Sequence, residues 1–373
     1  MLLLSFMIVV TLAISGQTAV ADQDSFRQAT EEARRIADAY AQHLASLKSF
    51  SLNVNRVEEL SGAVEGGPRH RYSRFTLCRD LDRIDFDFAN IKLAPDGSEM
   101  LDRQLRARRI VANERVLSYD IAGKSPPSRV MLFSDVKRVE QIIASSLGDA
   151  GPILGYSPGA GGISLVSLLV EHATELKVRG VEVIDGANTH VLEALTPYGR
   201  YTLWLDPSLR FQPRKIEVQK QAGDLADNHK PLSTPLVPLP KGAKLDYPYL
   251  PLKAMSIIVR VTKFEEAGGT PLPVKCEAIR VQTFADDQKV TFRNTISASK
   301  FLLRPNFEGE KAFVADLPDG TIIIDLEKPN ITHIWKGGKV EQSIDRATVQ
   351  SIEENVERAK KNLKSNDKDD TKH

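Results

Sequence analysis

The sequence predicts a mainly β protein with a minority of helix (α+β). It is read as an antiparallel sheet with one apolar face, an N-terminal amphipathic helix and two short helices. Apolar residues alternate with polar ones in segment after segment between residues 50 and 303, the period of a half-buried strand. Short polar turns join these segments, which favours antiparallel neighbours over crossovers. Helical spacing occurs only before the first strand and in two short stretches near the middle of the chain.

The 373 residues are 42% hydrophobic and 27% charged, enough apolar material for a large core and unlike a disordered or fibrous chain. With 50 Lys and Arg against 49 Asp and Glu the net charge is +1, which gives no electrostatic reason to expect nucleic acid as a partner. Two cysteines exclude a disulfide-rich scaffold and an all-cysteine zinc site.

Leu2 to Val10 form an apolar run, and Ala19-Val20-Ala21 supplies the small-x-small pattern of a signal-peptidase site. Residues 1–21 are therefore expected to be an export signal, with the mature chain starting at Asp22. The run is shorter than the roughly 20 apolar residues of a spanning helix, and no later segment has that length and character, so no integral membrane protein is expected. No cysteine stands near the cleavage point, against the protein being a lipoprotein itself. In an oxidising compartment Cys78 and Cys276 can pair, closing a loop of about 199 residues worth about 5 kcal/mol in the chain-entropy model. They can equally be two separately buried thiols.

Ser25 and Gln28 form a capping box, and Phe26, Ala29, Ala33, Ile36, Tyr40, Leu44 and Leu47 follow at steps of three and four. This predicts a helix over 25–48 with a charged back. Phe50, Leu52 and Val54, then Phe75 and Leu77, then Ile84, Phe86 and Phe88 alternate as strands, and further strands are expected at 104–112, 115–121 and 128–133. Helical spacing returns over 135–147 and 164–173. Between these, residues 148–162 hold six glycines and two prolines, which predicts an irregular, mobile connection, either a surface loop or a gate over a cavity.

Strands resume at 175–183, 188–196, 199–205 and 212–220, with Asp185-Gly186 and Pro197-Tyr198-Gly199 as turns. Residues 231–251, with six prolines, read as an extended excursion. Strands follow near 255–264, 273–284 and 289–303, the first with apolar residues on both faces and so expected to be covered on both sides. Residues 304–345 read as a small β unit with strands at 312–315, 321–325 and 331–335, either appended or the last strands of the sheet. The tail, 346–373, is polar and expected to be disordered.

No Gly-x-Ser-x-Gly elbow, zinc helix, Walker loop or dinucleotide fingerprint is present, so no catalytic residue, metal or cofactor is assigned and no enzyme is expected. Asp80, Asp82, Asp85 and Asp87 can hold a cation but are read as a solvated strand face. Arg103, Arg106, Arg108 and Arg109 are read as solvated charge, with a headgroup contact as the alternative. Tyr201 and Trp204 are core aromatics or pocket lining.

Local strings then point to a family. Leu47-Lys48-Ser49-Phe50 at the helix-to-strand junction, Leu117-Ser118-Tyr119-Asp120, and above all Tyr201-Thr202-Leu203-Trp204-Leu205-Asp206-Pro207 with Pro213 and Ile216 resemble the LolA-like superfamily of outer-membrane lipoprotein-sorting carriers. The resemblance implies a curved antiparallel sheet, an incomplete β-barrel: one half-barrel domain over 22–303, interrupted by the proline-rich excursion 231–251, whose concave apolar face is closed by the short covering helices and shelters acyl chains. Such a chain is a non-catalytic periplasmic or otherwise extracytoplasmic carrier of a lipid or acylated lipoprotein, with an envelope protein as a further partner. The alternative is an interaction module with a filled core. Ile84, Phe86, Phe88, Leu203 and Leu205, each alternating on one strand face, are the candidate ligand wall or, equally, closed core.

Overall fold

The computed structural model describes residues 30–62, 69–93, 99–121, 127, 130–234, 250–309, 311–328, 331–345, 351 and 354–355. The expected signal, most of the proline-rich excursion and nearly all of the tail lie outside these residues. The chain divides into two compact units, one of residues 1–48, 54–72 and 140–303, the other of residues 49–53, 73–139 and 304–373.

In chain order the strands are β1 (Ser49–Gly62), β2 (Arg69–Asp80), β3 (Arg83–Leu93), β4 (Glu99–Ala112), β5 (Arg115–Ile121) and β6 (Val130–Phe133). Then come β7 (Glu175–Ile184), β8 (Ala187–Thr196), β9 (Gly199–Asp206), β10 (Gln212–Gln221), β11 (Leu252–Ala267), β12 (Thr270–Phe284) and β13 (Lys289–Leu303). Last are β14 (Ile322–Asp325), β15 (Ile331–Lys336) and β16 (Lys339–Asp345). The helices are α1 over 30–46, α2 (Val136–Leu147) and α3 (Leu165–Val170).

In the first unit β7 to β13 form an antiparallel meander in sequence order, and the second half of β1 lies beside β13. The approach there is close: a Cβ at Gly62, whose φ is +111°, would stand 2.4 Å from the Lys289 carbonyl oxygen. The turns follow the chemistry read from the sequence, with Asp185 and Gly186 both at positive φ in the β7–β8 hairpin. Asp206, 1% exposed, closes the β9–β10 turn by accepting from the Ser208 amide at 2.8 Å and from Arg214 Nε at 2.6 Å. The strand near 255–264 differs from expectation, because β11 is covered on one face only. Ile257, Val259 and Val261 are buried, whereas Ile258 is 38% exposed between outward-facing Ser256 and Arg260. A single isoleucine on the far face needs no second layer.

In the second unit the order is β16-β15-β14-β6-β5-β4-β3-β2, ending on the first residues of β1. All described pairings in it are antiparallel except β14 on β6, which is parallel, with Ile323 opposite Val130. Residues 322–345 are thus the last strands of this unit's sheet. Residues 312–315 are not a strand: Lys311 and Phe313 adopt positive φ, and the segment turns across the sheet. Ala315, Leu317, Ile323 and Trp335 join Ile110, Leu117, Tyr119 and Leu132 in one apolar cluster. The opposite face of β2 and β3 buries Phe75, Leu77, Ile84 and Phe86, with the Phe75 and Phe86 rings 5.5 Å apart.

Candidate functional site

The register of the first unit's meander places side chains in rows across one face. Leu192, Leu203, Ile216, Val259, Ala278 and Asn294 stand opposite one another on β8 to β13, and Ala194, Tyr201, Val218, Ile257, Arg280 and Phe292 form the next row. On β8 to β11 these residues are at most 1% exposed and, but for the Tyr201 hydroxyl, apolar; on β12 and β13 the same face is mixed, with Arg280 and Asn294 beside Ala278 and Phe292. A surface of this kind must be covered, and helical segments cover it. Ala33, Ile36, Ala37 and Tyr40 of α1, Ile143 and Leu147 of α2, and Leu165, Leu168 and Leu169 of α3 are all buried.

The glycine-rich stretch 148–162 differs most from its sequence reading. It opens as a 3-10 helix, Gly148–Leu154, in which Asp149 to Ile153 are buried. Its glycines serve close packing: a Cβ on Gly161, φ +61°, would lie 2.0 Å from the Asp227 carbonyl oxygen. Sheet side chains bind this segment and the end of α2. Asn294 Nδ2 donates to the Leu147 carbonyl at 2.9 Å, Arg56 Nη1 to Ser146 at 2.7 Å, Tyr201 Oη to Pro158 at 2.9 Å, and Lys220 Nζ to Gly159. These bonds satisfy carbonyls that the irregular backbone leaves open.

Four charged side chains meet here. Arg280 donates from Nε to Asp149 Oδ2 at 2.7 Å and from Nη2 to Asp149 Oδ1, and its Nη1 reaches Asp227 at 3.2 Å. Burial works against the Arg280 charge, and Asp149 and Asp227 together overcome it and hold the guanidinium protonated. Lys220, 1% exposed, has two carbonyls for partners, those of Gly159 and of Leu225 at 2.7 Å. Burial pulls its ammonium down to about 8, against the pull of Asp227. Under α1, the Tyr40 hydroxyl and both ring nitrogens of His43 are buried without a hydrogen-bond partner, and burial lowers the imidazole to about 4.

Beside the glycine-rich segment is a cavity of about 440 Å³. Arg56, Asp149, Asp227, Arg280 and Asn294 line it together with Tyr156, Ser157, His229 and Phe292. A second cavity, about 620 Å³, lies in the other unit against Thr76, Cys78, Asp85, Asp87 and Arg108.

The candidate wall residues fall in both units. Leu203 and Leu205 are 0% exposed on the covered face of β9, Ile84 is 3% and Phe86 0% exposed on β3, and Phe88 is half-buried against Phe86 with ring centroids 6.3 Å apart. Tyr201 is fully buried, and Trp204 donates from Nε1 to Glu182 at 2.8 Å. Cys78 and Cys276 are buried thiols that are not bridged to each other, one in each unit. Arg106 and Arg108 are not solvated charge: each holds a carboxylate across the β3–β4 ladder, Asp87 and Asp85 respectively, through two N–H bonds. The cause is cross-strand register, which puts Asp87 opposite Arg108 and Ala89 opposite Arg106, so that each acid lies on the same face as the arginine it binds and diagonal to it. No group of three or more His, Cys, Asp or Glu among the described residues is placed to hold a metal ion.

Sequence reasoning missed Arg56, Asp149, Lys220 and Arg280. The signal was parity: Ile216, Val218 and Lys220 share one strand face, as do Cys276, Ala278 and Arg280, so the last member of each series is a charge at an inward position.

These features define a class: an open antiparallel sheet whose apolar face is covered by short helical segments, with a polar cavity at one end of that cover. No family model and no curated protein matches the sequence. Among solved structures, a DUF1329 family protein from Desulfovibrio piger is 9% identical, with a TM-score of 0.40 over 74% of this chain and 94% of that one. A putative outer membrane lipoprotein-sorting protein domain from Vibrio parahaemolyticus is 12% identical, with a TM-score of 0.36 over 75% and 96%. LprF from Mycobacterium bovis is 12% identical, with a TM-score of 0.22 over 74% and 97%.

Proposed function

We propose that this chain is a non-catalytic, extracytoplasmic carrier-like protein that shelters an acyl chain, free or on a lipoprotein, against the apolar face of β8 to β11. One observation carries the reading: two adjacent cross-strand rows, four strands wide, are apolar except for the Tyr201 hydroxyl and are covered by helical segments instead of a second sheet. Displacing such a cover costs far less than parting two sheets, and each methylene that replaces it contributes about 0.8 kcal/mol. The signal-like N-terminus supports export, and no helix among the described residues is long and apolar enough to cross a membrane.

The test is uptake of a fluorescent fatty acid by delipidated protein, with native mass spectrometry of protein purified from its host. Saturable uptake that is weakened at least tenfold by Leu203→Asn, in a variant that remains folded, supports the proposal. Folded protein that takes up no probe and flies without an acyl adduct overturns it. That result favours a second reading, an interaction module with a filled core, for which the complete burial of Leu203 and Leu205 speaks.

A further inference from the structure

From the polar cavity of the first unit we infer a binding site for a neutral saccharide, separate from the apolar face and independent of whether that face takes lipid. Its volume, about 440 Å³, falls in the range of small-molecule pockets.

Charge balance selects the class of ligand. Arg56 and Arg280 stand against Glu58, Asp149 and Asp227 in the lining, and Lys220 lies directly behind Gly159, so three cations meet three carboxylates. A phosphate or a carboxylate ligand would face three acids, and an ammonium ligand three bases. The hydrogen-bonding capacity that remains is of both kinds. Arg280 uses four N–H bonds and Arg56 three of the five that each guanidinium carries, which leaves three donors. The carboxylates keep unused lone pairs. Hydroxyl groups, which donate and accept at once, match such a wall, and the rings of Tyr156, His229 and Phe292 supply apolar surface for the C–H faces of a sugar.

A further observation points to an occupant. Ser157 is 5% exposed and lines the cavity, and its hydroxyl has no hydrogen-bond partner. A buried hydroxyl without a partner is destabilising, and a turn of the Ser157 side chain about χ1 to meet a ligand hydroxyl in the cavity removes the penalty. The segment that carries Ser157 is held rigidly by Tyr201, Lys220 and the Arg280–Asp149 pair, so the site is preformed.

The experiment is saturation-transfer NMR on the full chain with glucose, galactose, N-acetylglucosamine and maltose, beside glucose 6-phosphate, glucosamine and a capped dipeptide amide as charged and amide controls. The expected result is saturable binding of at least one neutral sugar, weaker binding of the charged ones, and about a five-fold loss of affinity in Ser157→Ala, with the melting transition of the unliganded variant no lower than the parent's. A Phe292→Leu variant tests the ring face in the same way. The inference is overturned if no neutral sugar binds at millimolar concentration, if the phosphorylated sugar or the dipeptide binds better, or if folded Ser157→Ala and Phe292→Leu both bind as the parent does.

Discussion

Replacing Asp149 with alanine removes the carboxylate that accepts two N–H bonds from Arg280, in a pair whose side chains are only 8% and 17% exposed. With charge centres about 4 Å apart and an effective dielectric near 20, the attraction is about 4 kcal/mol. Deleting one partner of a buried pair costs about 3–5 kcal/mol, because the survivor stays dehydrated and unpaired. Here Asp227 remains on Arg280 at 3.2 Å, so D149A should fall at the low end, about 3 kcal/mol. Arg280→Met strands Asp149 instead and should cost about 5 kcal/mol. The double variant leaves neither member of this pair behind, and Asp227 keeps the attraction of Lys220, so its cost should fall short of the sum by about 2 kcal/mol. Trp204 lies in this unit, and urea unfolding followed by its fluorescence in a Trp335→Phe background reports these differences as midpoint shifts at constant slope. A D149A loss below about 1 kcal/mol, or a strictly additive double variant, would show that the Arg280–Asp149 pair does not hold the glycine-rich segment on the sheet.

Lys220 titrates at about 8 in the folded chain against 10.5 unfolded, so between these values the unfolded state binds more protons and stability should rise with pH. The full rise is about 3 kcal/mol, and Lys220→Met should flatten that slope between pH 8 and 10; an unchanged slope in this variant refutes the assignment. In the second unit Asp85→Ala strands Arg108, which donates to it from Nε at 2.9 Å, and also frees the Phe313 amide that Asp85 accepts at 2.9 Å. The expected cost is about 3–5 kcal/mol by Trp335 fluorescence, and a loss below about 1 kcal/mol would show the pair to be solvated after all.

Strand and turn chemistry was legible in the amino-acid sequence because it is local. Alternation along 188–196, 199–205 and 212–220 marked β8, β9 and β10 to within two residues, and Asp185-Gly186 marked its hairpin through the positive φ that both residues adopt. The helical spacing of Val136 to Leu147 was equally plain. Local pattern also identified Leu203 and Leu205 as inward-facing, but whether inward means core or ligand wall is a question of what lies opposite, which no periodicity contains.

Only tertiary structure decided the rest, since the partners are far apart in the chain. Residues 148–162 look loose when glycine is taken as freedom, yet the same glycines let the backbone pack within contact of Asp227 and Gln141. Arg280 and Asp149 are separated by 131 positions and Arg56 and Asn294 by 238, so their pairing follows from strand register and not from any motif. The parallel addition of β14 to β6 likewise depends on a chain return that the sequence does not encode locally. Alternation says which face a side chain takes; the identity of its neighbour on that face is set by the order in which distant strands assemble.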